Sequence, residues 1–207
     1  MIKVLIVEDD PMARQLLEIY LRESRVYEVI QSIECASLTE FCCRTEQIHL
    51  ILMDICTAMN ASGLDAAEKV KKHFPDIRIV MITSQPECSF LDRARKAGVD
   101  SFWYKNAAAS ELLDVMDRTM RGESVYPAET PTLQIGYARS NTFSTRELEV
   151  LRKLVAGETD AVIAEQLHIS LRTAKSHIQS LLNKTGFRNR TELAVRARES
   201  GLIIVNQ

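Results

Sequence analysis

The chain has 207 residues, a formal net charge of −2 and 26% charged residues. This length predicts two domains of ordinary size, each able to bury its own core. No apolar run approaches the roughly 18 residues of a membrane span, and the first residues lack a signal-peptide pattern. Five cysteines without a C-x-x-C pair indicate reduced thiols rather than a disulfide framework. We therefore expect a cytoplasmic protein without a membrane partner.

The first 120 residues alternate apolar strands with amphipathic helices. Strands are predicted at 3–7, 28–32, 50–53, 78–82 and 100–103. Helices are predicted from Pro11 onward and at 38–43, 64–74, 88–97 and 111–121. This alternation predicts an α/β domain whose five parallel strands are covered by helices on both faces. In such sheets ligands bind beyond the carboxyl ends of the strands.

Polar and charged residues follow four of these predicted strands. Glu8 and Asp9 follow the first strand, Asp54 the third, Thr83 the fourth and Lys105 the fifth. Converging carboxylates suit Mg²⁺, and a carboxylate beside Mg²⁺ can attack phosphorus to form an acyl phosphate. The lysine and the threonine could then contact the phosphoryl oxygens. The alternative is a surface cluster of acids for which the lysine is merely a counterion.

This arrangement, over residues 1–121, resembles the response-regulator receiver domain, which has a flavodoxin-like fold. The resemblance implies a phosphoacceptor at Asp54, with Thr83 and Lys105 assisting the phosphoryl chemistry. It also implies an Mg²⁺ site and a pair of switch residues. The implied metal ligands are Glu8, Asp9, Asp54 and the backbone carbonyl of Cys56, and the switch residues are Thr83 and Phe102.

The loop after Asp54 departs from the family pattern. Receivers usually have proline at the fourth position after the phosphoacceptor and glycine at the eighth. Here the sequence DICTAMNASG has Ala58 at the fourth position and Gly63 at the ninth. We therefore predict a loop that is one residue longer, which could change partner choice, metal geometry or acyl-phosphate lifetime.

Residues 122–142 are predicted to be an interdomain linker. Pro127, Pro131 and Gly136 interrupt any continuous helix, so the segment permits the domains to rearrange. It also contains apolar residues that could pack transiently on either domain. These are Leu133, Ile135 and Tyr137.

The last 65 residues predict four short helices. Ser144 and Glu147 form a capping-box pattern before the first, and the second fits residues 160–167. After a three-residue turn, Ser170 caps the third helix and Thr191 is predicted to cap the fourth. Two short helices joined by such a turn are typical of the helix-turn-helix unit, whose second helix docks in a DNA groove.

The third helix separates an apolar stripe from a polar face. Ala174, Ile178 and Leu181 recur at helical spacing, and the opposite side carries cationic and amide side chains, which read bases and phosphates. From Phe143 onward the chain has ten basic and seven acidic residues, so the preceding residues carry a net charge of −5. The C-terminal region is therefore a basic segment on an acidic protein.

Residues 143–203 resemble the LuxR-type DNA-binding domain. The motifs T-R-E-x-E-V-L, I-A-x-x-L-x-I-S, T-x-K-x-H and R-N-R-T carry this resemblance. It implies that three side chains face base edges and five lie near phosphates. The base-facing residues are Lys175, Ser176 and Gln179, and the phosphate-facing residues are Arg172, Thr173, Lys184, Arg188 and Arg190.

The two resemblances together predict a NarL/FixJ-type two-component response regulator. Its expected organisation is a receiver (1–121), a linker (122–142) and an all-α, four-helix LuxR-type domain (143–207). Phosphorylation by a sensor histidine kinase or a small phosphodonor, with Mg²⁺, would change homodimerisation and binding to double-stranded DNA. The alternative is a phosphorylation-independent DNA-binding regulator whose receiver is a protein–protein interaction module. An enzyme is not expected, because aspartate phosphatases need a second aspartate where Cys56 stands, and no glycine-rich phosphate loop is present.

Overall fold

A computed structural model describes residues 1–87, 89–105 and 108–204, which divide into two compact units. The first unit comprises residues 1–84 and 89–129, and the second comprises 130–204 with the short segment 85–87. Within the described ranges, no helix combines the length and the apolar character that crossing a membrane requires.

The first unit contains a five-stranded parallel sheet, which confirms the predicted fold class. The strands of the unit are β1 (Ile2–Val7), β2 (Tyr27–Ile33), β3 (Leu50–Asp54), β4 (Cys56–Thr57), β5 (Ala61–Ser62), β6 (Arg78–Thr83) and β7 (Ser101–Tyr104). The order in the sheet is β2-β1-β3-β6-β7, and every neighbouring pair is parallel. β4 and β5 form a separate antiparallel hairpin.

Helices cover both faces of this sheet. They are α1 (Pro11–Ser24), α2 (Thr39–Thr45), α3 (Gly63–His73), α4 (Phe90–Lys96) and α5 (Ala109–Met120). On one face, alternate residues of the central strands form a core with α1 and α5, and the intervening residues are buried as well. Burial on both faces explains why the central strand β3 begins with a continuous apolar run, residues 50–53. Asp10 caps α1, which begins at Pro11 as predicted, and accepts hydrogen bonds from the amides of Met12 and Ala13.

The predicted longer loop after Asp54 folds into the β4–β5 hairpin. Its turn contains two consecutive residues with left-handed backbone, Met59 (φ 59°) and Asn60 (φ 55°), and Met59 is 91% exposed. Beyond the hairpin, Gly63 begins α3 and donates its amide to the carbonyl of Ile55 at 2.8 Å. The extra residue is therefore taken up by a protruding turn, and the chain returns to Asp54 at Gly63.

Residues 123–127, named the strap here, lie along the outer edge of β7. The amide of Phe102 donates to the carbonyl of Val125 at 2.8 Å, and the amide of Val125 donates to Oγ of Ser101 at 3.0 Å. The ring of Tyr126 lies 6.1 Å from that of Phe102. The first part of the predicted linker is therefore attached to the parallel sheet of the first unit.

The second unit contains four helices, as predicted. They are α6 (Thr145–Val155), α7 (Asp160–Gln166), α8 (Leu171–Thr185) and α9 (Arg190–Glu199). Ser144 and Glu147 form the predicted capping box, and Ser170 caps α8. The prediction that Thr191 caps the last helix was wrong. Asn189 caps α9 instead, because its backbone is extended (φ −158°) and its side chain accepts the amide of Glu192.

A second hairpin precedes these helices. It consists of β8 (Gln134–Ile135) and β9 (Ala138–Arg139). Ile135 and Ala138 are buried in the core of the second unit, against which Leu133 also packs. The last part of the predicted linker is therefore integral to the second unit.

Candidate functional site

Three carboxylates meet at the carboxyl edge of the parallel sheet. Glu8 follows β1, Asp54 ends β3, and Asp9 lies in the loop before α1. Oxygen atoms of the three side chains lie within 4.8 Å of one another. Glu8 and Asp54 are buried, whereas Asp9 is exposed. Three oxygen ligands with one open side form a donor set that suits a hard divalent cation such as Mg²⁺.

Lys105 lies between two of these carboxylates. Its Nζ atom is 2.5 Å from Oε2 of Glu8 and 2.8 Å from Oδ2 of Asp54. The other carboxylate oxygen of Asp54 accepts the amide of Ile55 at 2.7 Å. The ammonium group therefore partly neutralises the cluster from the side of β7.

Burial raises the pKa values of both buried carboxyl groups. For Glu8, burial and the nearby charge of Asp54 outweigh the attraction of Lys105, and the pKa rises to about 7. For Asp54, burial also raises the pKa, against the opposing effect of Lys105. Burial lowers the pKa of Lys105, but its two carboxylate partners more than compensate and the net shift is upward. The site thus concentrates negative charge that an additional cation would stabilise.

Thr83 and Cys56 lie at the same edge of the sheet, whereas Phe102 lies two residues before the end of β7. Thr83 ends β6 and is fully buried, and its carbonyl accepts the amide of Lys105 at 2.9 Å. Cys56 lies two residues after Asp54 at the start of β4. Phe102 lies in β7, buried, with its ring centroid 5.1 Å from that of Tyr104.

Sequence reasoning missed Arg14, which supports the acidic loop from α1. Its guanidinium donates to the carbonyl of Glu8 at 2.8 Å and pairs with Glu34 at 3.0 Å. The carbonyl of Glu34 in turn accepts the amide of Ala58 in the β4–β5 hairpin at 3.0 Å. Arg14 therefore connects the loop that carries Glu8 and Asp9 with the loop that follows Asp54. Its position one turn after the Asp10 cap was the available sequence signal.

The exposed face of α8 carries most of the predicted nucleic-acid contacts. Arg172, Lys175, Ser176 and Gln179 are exposed, and Thr173 is half-buried beside the Ser170 cap. A polar recess of about 430 Å³ lies along this face, lined by Ser176, Gln179, Ser180, Asn183 and Lys184. The buried side of the helix consists of Ala174, Ile178, Leu181 and Thr185. The predicted separation of apolar and polar faces is therefore confirmed.

Two of the predicted phosphate contacts form ion pairs within the second unit. Lys184 lies 2.7 Å from the buried carboxylate of Glu147, and Arg190 lies 2.5 Å from Asp160. Arg188 is exposed, and within the described ranges its guanidinium forms no ion pair. The structure thus places Lys184 and Arg190 in roles that hold the helices together, and leaves Arg188 available at the surface.

Comparisons with known families agree with both halves of this architecture. Residues 4–117 match the family described as response regulator receiver domain, and residues 141–197 match the bacterial regulatory proteins of the luxR family. The chain belongs to the two-component response regulators of the NarL/FixJ type. This is a family of DNA-binding transcription regulators rather than of enzymes.

Individual relatives cover nearly the whole chain. Response regulator protein VraR of Staphylococcus aureus (strain Mu3 / ATCC 700698) is 32% identical over 98% of this chain and 99% of its own length. Among solved structures, RcsB of Salmonella enterica serovar Typhimurium, bound to promoter rprA with the phosphomimetic BeF3−, has a TM-score of 0.64 at 20% identity, covering 94% of this chain and 96% of that one. Another structure, of two RcsB dimers bound to two parallel DNAs, has a TM-score of 0.66 at 20% identity, covering 95% and 98%. At this identity the solved structures show a common fold.

Proposed function

We propose that this response regulator accepts a phosphoryl group on Asp54 in the cytoplasm and thereby changes its dimerisation and its binding to double-stranded DNA. The observation that carries the proposal is the junction of Glu8, Asp9, Asp54 and Lys105 at one edge of the sheet. The donor would be a sensor histidine kinase or a small phosphodonor.

The phosphoryl transfer follows from the chemistry of this cluster. A carboxylate oxygen of Asp54 attacks the phosphorus, a new O–P bond forms, and the bond to the donor breaks with its electron pair leaving on the donor. Lys105, whose Nζ atom lies 2.8 Å from Oδ2 of Asp54, would contact the oxygens of the bound phosphoryl group. Thr83, at the end of β6, would donate its hydroxyl to the same group.

The acidic cluster fits a divalent cation during this reaction. Glu8, Asp9 and Asp54 would hold Mg²⁺ together with the backbone carbonyl of Cys56. Bound there, Mg²⁺ would neutralise charge on the incoming phosphoryl group. Burial and the nearby charge of Asp54 raise the pKa of Glu8 to about 7, and a bound cation would stabilise the charged form of this carboxyl group, which supports the assignment.

We expect Asp54→Asn to abolish phosphoryl uptake. Incubated with Mg²⁺ and acetyl phosphate, the parent should gain one phosphoryl group by intact mass, and the variant should gain none, because an amide is not a nucleophile of this kind. Asp65→Asn, a change of an exposed aspartate in the first turn of α3, is the matched control and should behave as the parent. Equal uptake by the parent and Asp54→Asn would refute the assignment of the phosphoacceptor.

The DNA-binding part of the proposal rests on the exposed face of α8. Lys175 and Gln179 lie one turn apart on the helix that follows the helix-turn-helix turn, a position from which side chains reach base edges in the major groove. A dimer would then read two half-sites about one helical turn apart.

Lys175→Ala should lower discrimination between a selected and a random duplex by roughly tenfold, without unfolding the second unit. The measurement is fluorescence anisotropy with a duplex enriched from a randomised pool and with a random duplex of equal length. Lys153→Ala, on α6, is the matched control. Parent-like discrimination by Lys175→Ala would show that this side chain does not read bases.

One alternative keeps DNA binding but removes the phosphoryl switch. The β4–β5 hairpin beside Asp54, with Met59 91% exposed at its turn, favours it, because such a protrusion suits contact with a protein partner. Failure of the parent to take up phosphate, combined with unchanged DNA binding by Asp54→Asn, would support this alternative.

A further inference from the structure

An exposed tyrosine, Tyr137, is fixed at the C-terminal end of α8 by the β8–β9 hairpin. The residue is 86% exposed, although Ile135 and Ala138 in the same hairpin are buried in the core. Its backbone amide donates to the carbonyl of Thr185 at 3.0 Å. The hairpin therefore holds an aromatic hydroxyl at a defined point of the surface. Packing in the core does not explain this position, because the side chain is exposed.

Two glycines allow the close contact between the hairpin and α8. A Cβ atom added to Gly186 would lie 2.3 Å from Cδ2 of Tyr137, so the ring packs directly on the backbone of this glycine. A Cβ atom added to Gly136 would lie 2.0 Å from the carbonyl oxygen of Thr185. Both glycines also have left-handed backbone, with φ of 58° at Gly136 and 76° at Gly186. The ring takes the place that a side chain at the end of α8 would occupy.

The helical repeat places Gly186, on which this ring packs, on the face of α8 that carries the proposed base-reading residues. Gly186 follows Gln179 by seven residues and Lys175 by eleven, close to two and three whole turns at about 3.6 residues per turn. At about 1.5 Å per residue, Gly186 lies roughly 10 Å beyond Gln179 along the axis. The major groove is about 12 Å wide. A residue at this distance from the base-reading positions lies near the rim of the groove, where the phosphates are.

We infer that Tyr137 donates its hydroxyl to a phosphate of double-stranded DNA, next to the bases read by α8. This inference rests on the DNA binding proposed above. Tyrosine is among the side chains that make such contacts, which position a protein on the duplex without reading sequence. The partial negative charge at the C-terminus of α8 disfavours a phosphate there. The exposed Arg188, two residues beyond Gly186, offsets it.

The experiment compares Tyr137→Phe, Tyr137→Ala and Arg188→Ala in the full chain. The probe is a random-sequence duplex of about 30 base pairs, because a phosphate contact does not depend on sequence. The phenylalanine variant keeps the ring on Gly186 and removes only the hydroxyl. Tyr20→Phe, on α1 of the first unit, is the matched control, and thermal unfolding monitors stability.

We expect Tyr137→Phe and Tyr137→Ala to bind this duplex about tenfold more weakly than the parent, the effect of one hydrogen bond to a charged group. Because the hydroxyl is neutral and releases no counterion, their salt dependence should match that of the parent. Arg188→Ala should reduce by about one the magnitude of the slope of the logarithm of the binding constant against the logarithm of the salt concentration.

Parent-like affinity of Tyr137→Phe would overturn the inference, even if Tyr137→Ala were weakened through lost stability. If the parent itself fails to bind the duplex, the proposed DNA binding fails and the contact fails with it. If the parent binds the duplex and the tyrosine variants bind it equally well, only the proposed tyrosine–phosphate contact is refuted.

Discussion

Replacing Gly63 with alanine is expected to destabilise the first unit by more than about 3 kcal/mol. An added Cβ atom would lie 1.9 Å from the carbonyl oxygen of Asp54 and 2.9 Å from its carbonyl carbon. Both are backbone atoms, so the start of α3 or the end of β3 would have to move. The free energy of unfolding, measured by urea denaturation of the full chain, tests this expectation.

The same movement should impair phosphoryl uptake, since the displaced carbonyl belongs to the proposed acceptor residue. Gly98→Ala is the matched control in the same unit, because its nearest neighbours would lie 3.7 Å away and only its left-handed backbone (φ 76°) opposes the change. We expect Gly98→Ala to lower the free energy of unfolding by about 1 kcal/mol. Equal destabilisation by the two variants would mean that the approach of Gly63 to Asp54 does not determine the fold of this loop.

Glu147→Gln is expected to destabilise the second unit by about 3 kcal/mol near neutral pH and by much less in acid. Burial raises the pKa of Glu147, but hydrogen bonds from Lys184, Ser144 and Ser180 outweigh it and lower the pKa from 4.5 to about 2. The carboxylate accepts from Nζ of Lys184 at 2.7 Å and from Oγ of Ser180 at 2.7 Å. The charged carboxylate thus ties the start of α6 to α8.

The direction of the pH effect follows from the lowered pKa of Glu147. Between about 4.5 and 2, the unfolded chain binds this proton more readily than the folded unit does. The stabilisation is therefore present above pH 4.5 and is lost as the pH falls through about 2. Thermal unfolding of parent and variant from pH 7 downward should show the two curves converging.

Glu149→Gln, which removes a half-buried carboxylate paired with Arg146, is the control and should change stability by no more than about 1 kcal/mol. A difference between the parent and Glu147→Gln that stays constant across this pH range would contradict the assigned role of the charge.

The acidic site was predictable because it depends on a local pattern repeated several times. Asp54 and Lys105 each follow an apolar strand, and parallel strands bring their carboxyl ends to one edge. The polar face of α8 was predictable for the same reason, since one helical period fixes which side chains point away from Ala174 and Ile178.

The sequence could not reveal contacts that join distant segments. Lys184 had the character of a phosphate contact, but its pairing with Glu147 depends on how α6 and α8 pack. The position of the last cap depends on packing as well. Asn189 and Thr191 lie two residues apart, and either side chain can accept a hydrogen bond from a backbone amide. The sequence alone therefore does not decide which of them caps the start of α9.

The strap also has a consequence for isolating the receiver as a fragment. A fragment ending with α5 at Met120 would lose the hydrogen bond from Phe102 to Val125 and that from Val125 to Ser101. It would then leave the outer edge of β7 open along its length, and unpaired sheet edges promote association between molecules. A fragment that retains residues 123–127 keeps this edge covered and is therefore better suited than the shorter one to solution studies of the proposed phosphoacceptor, Asp54.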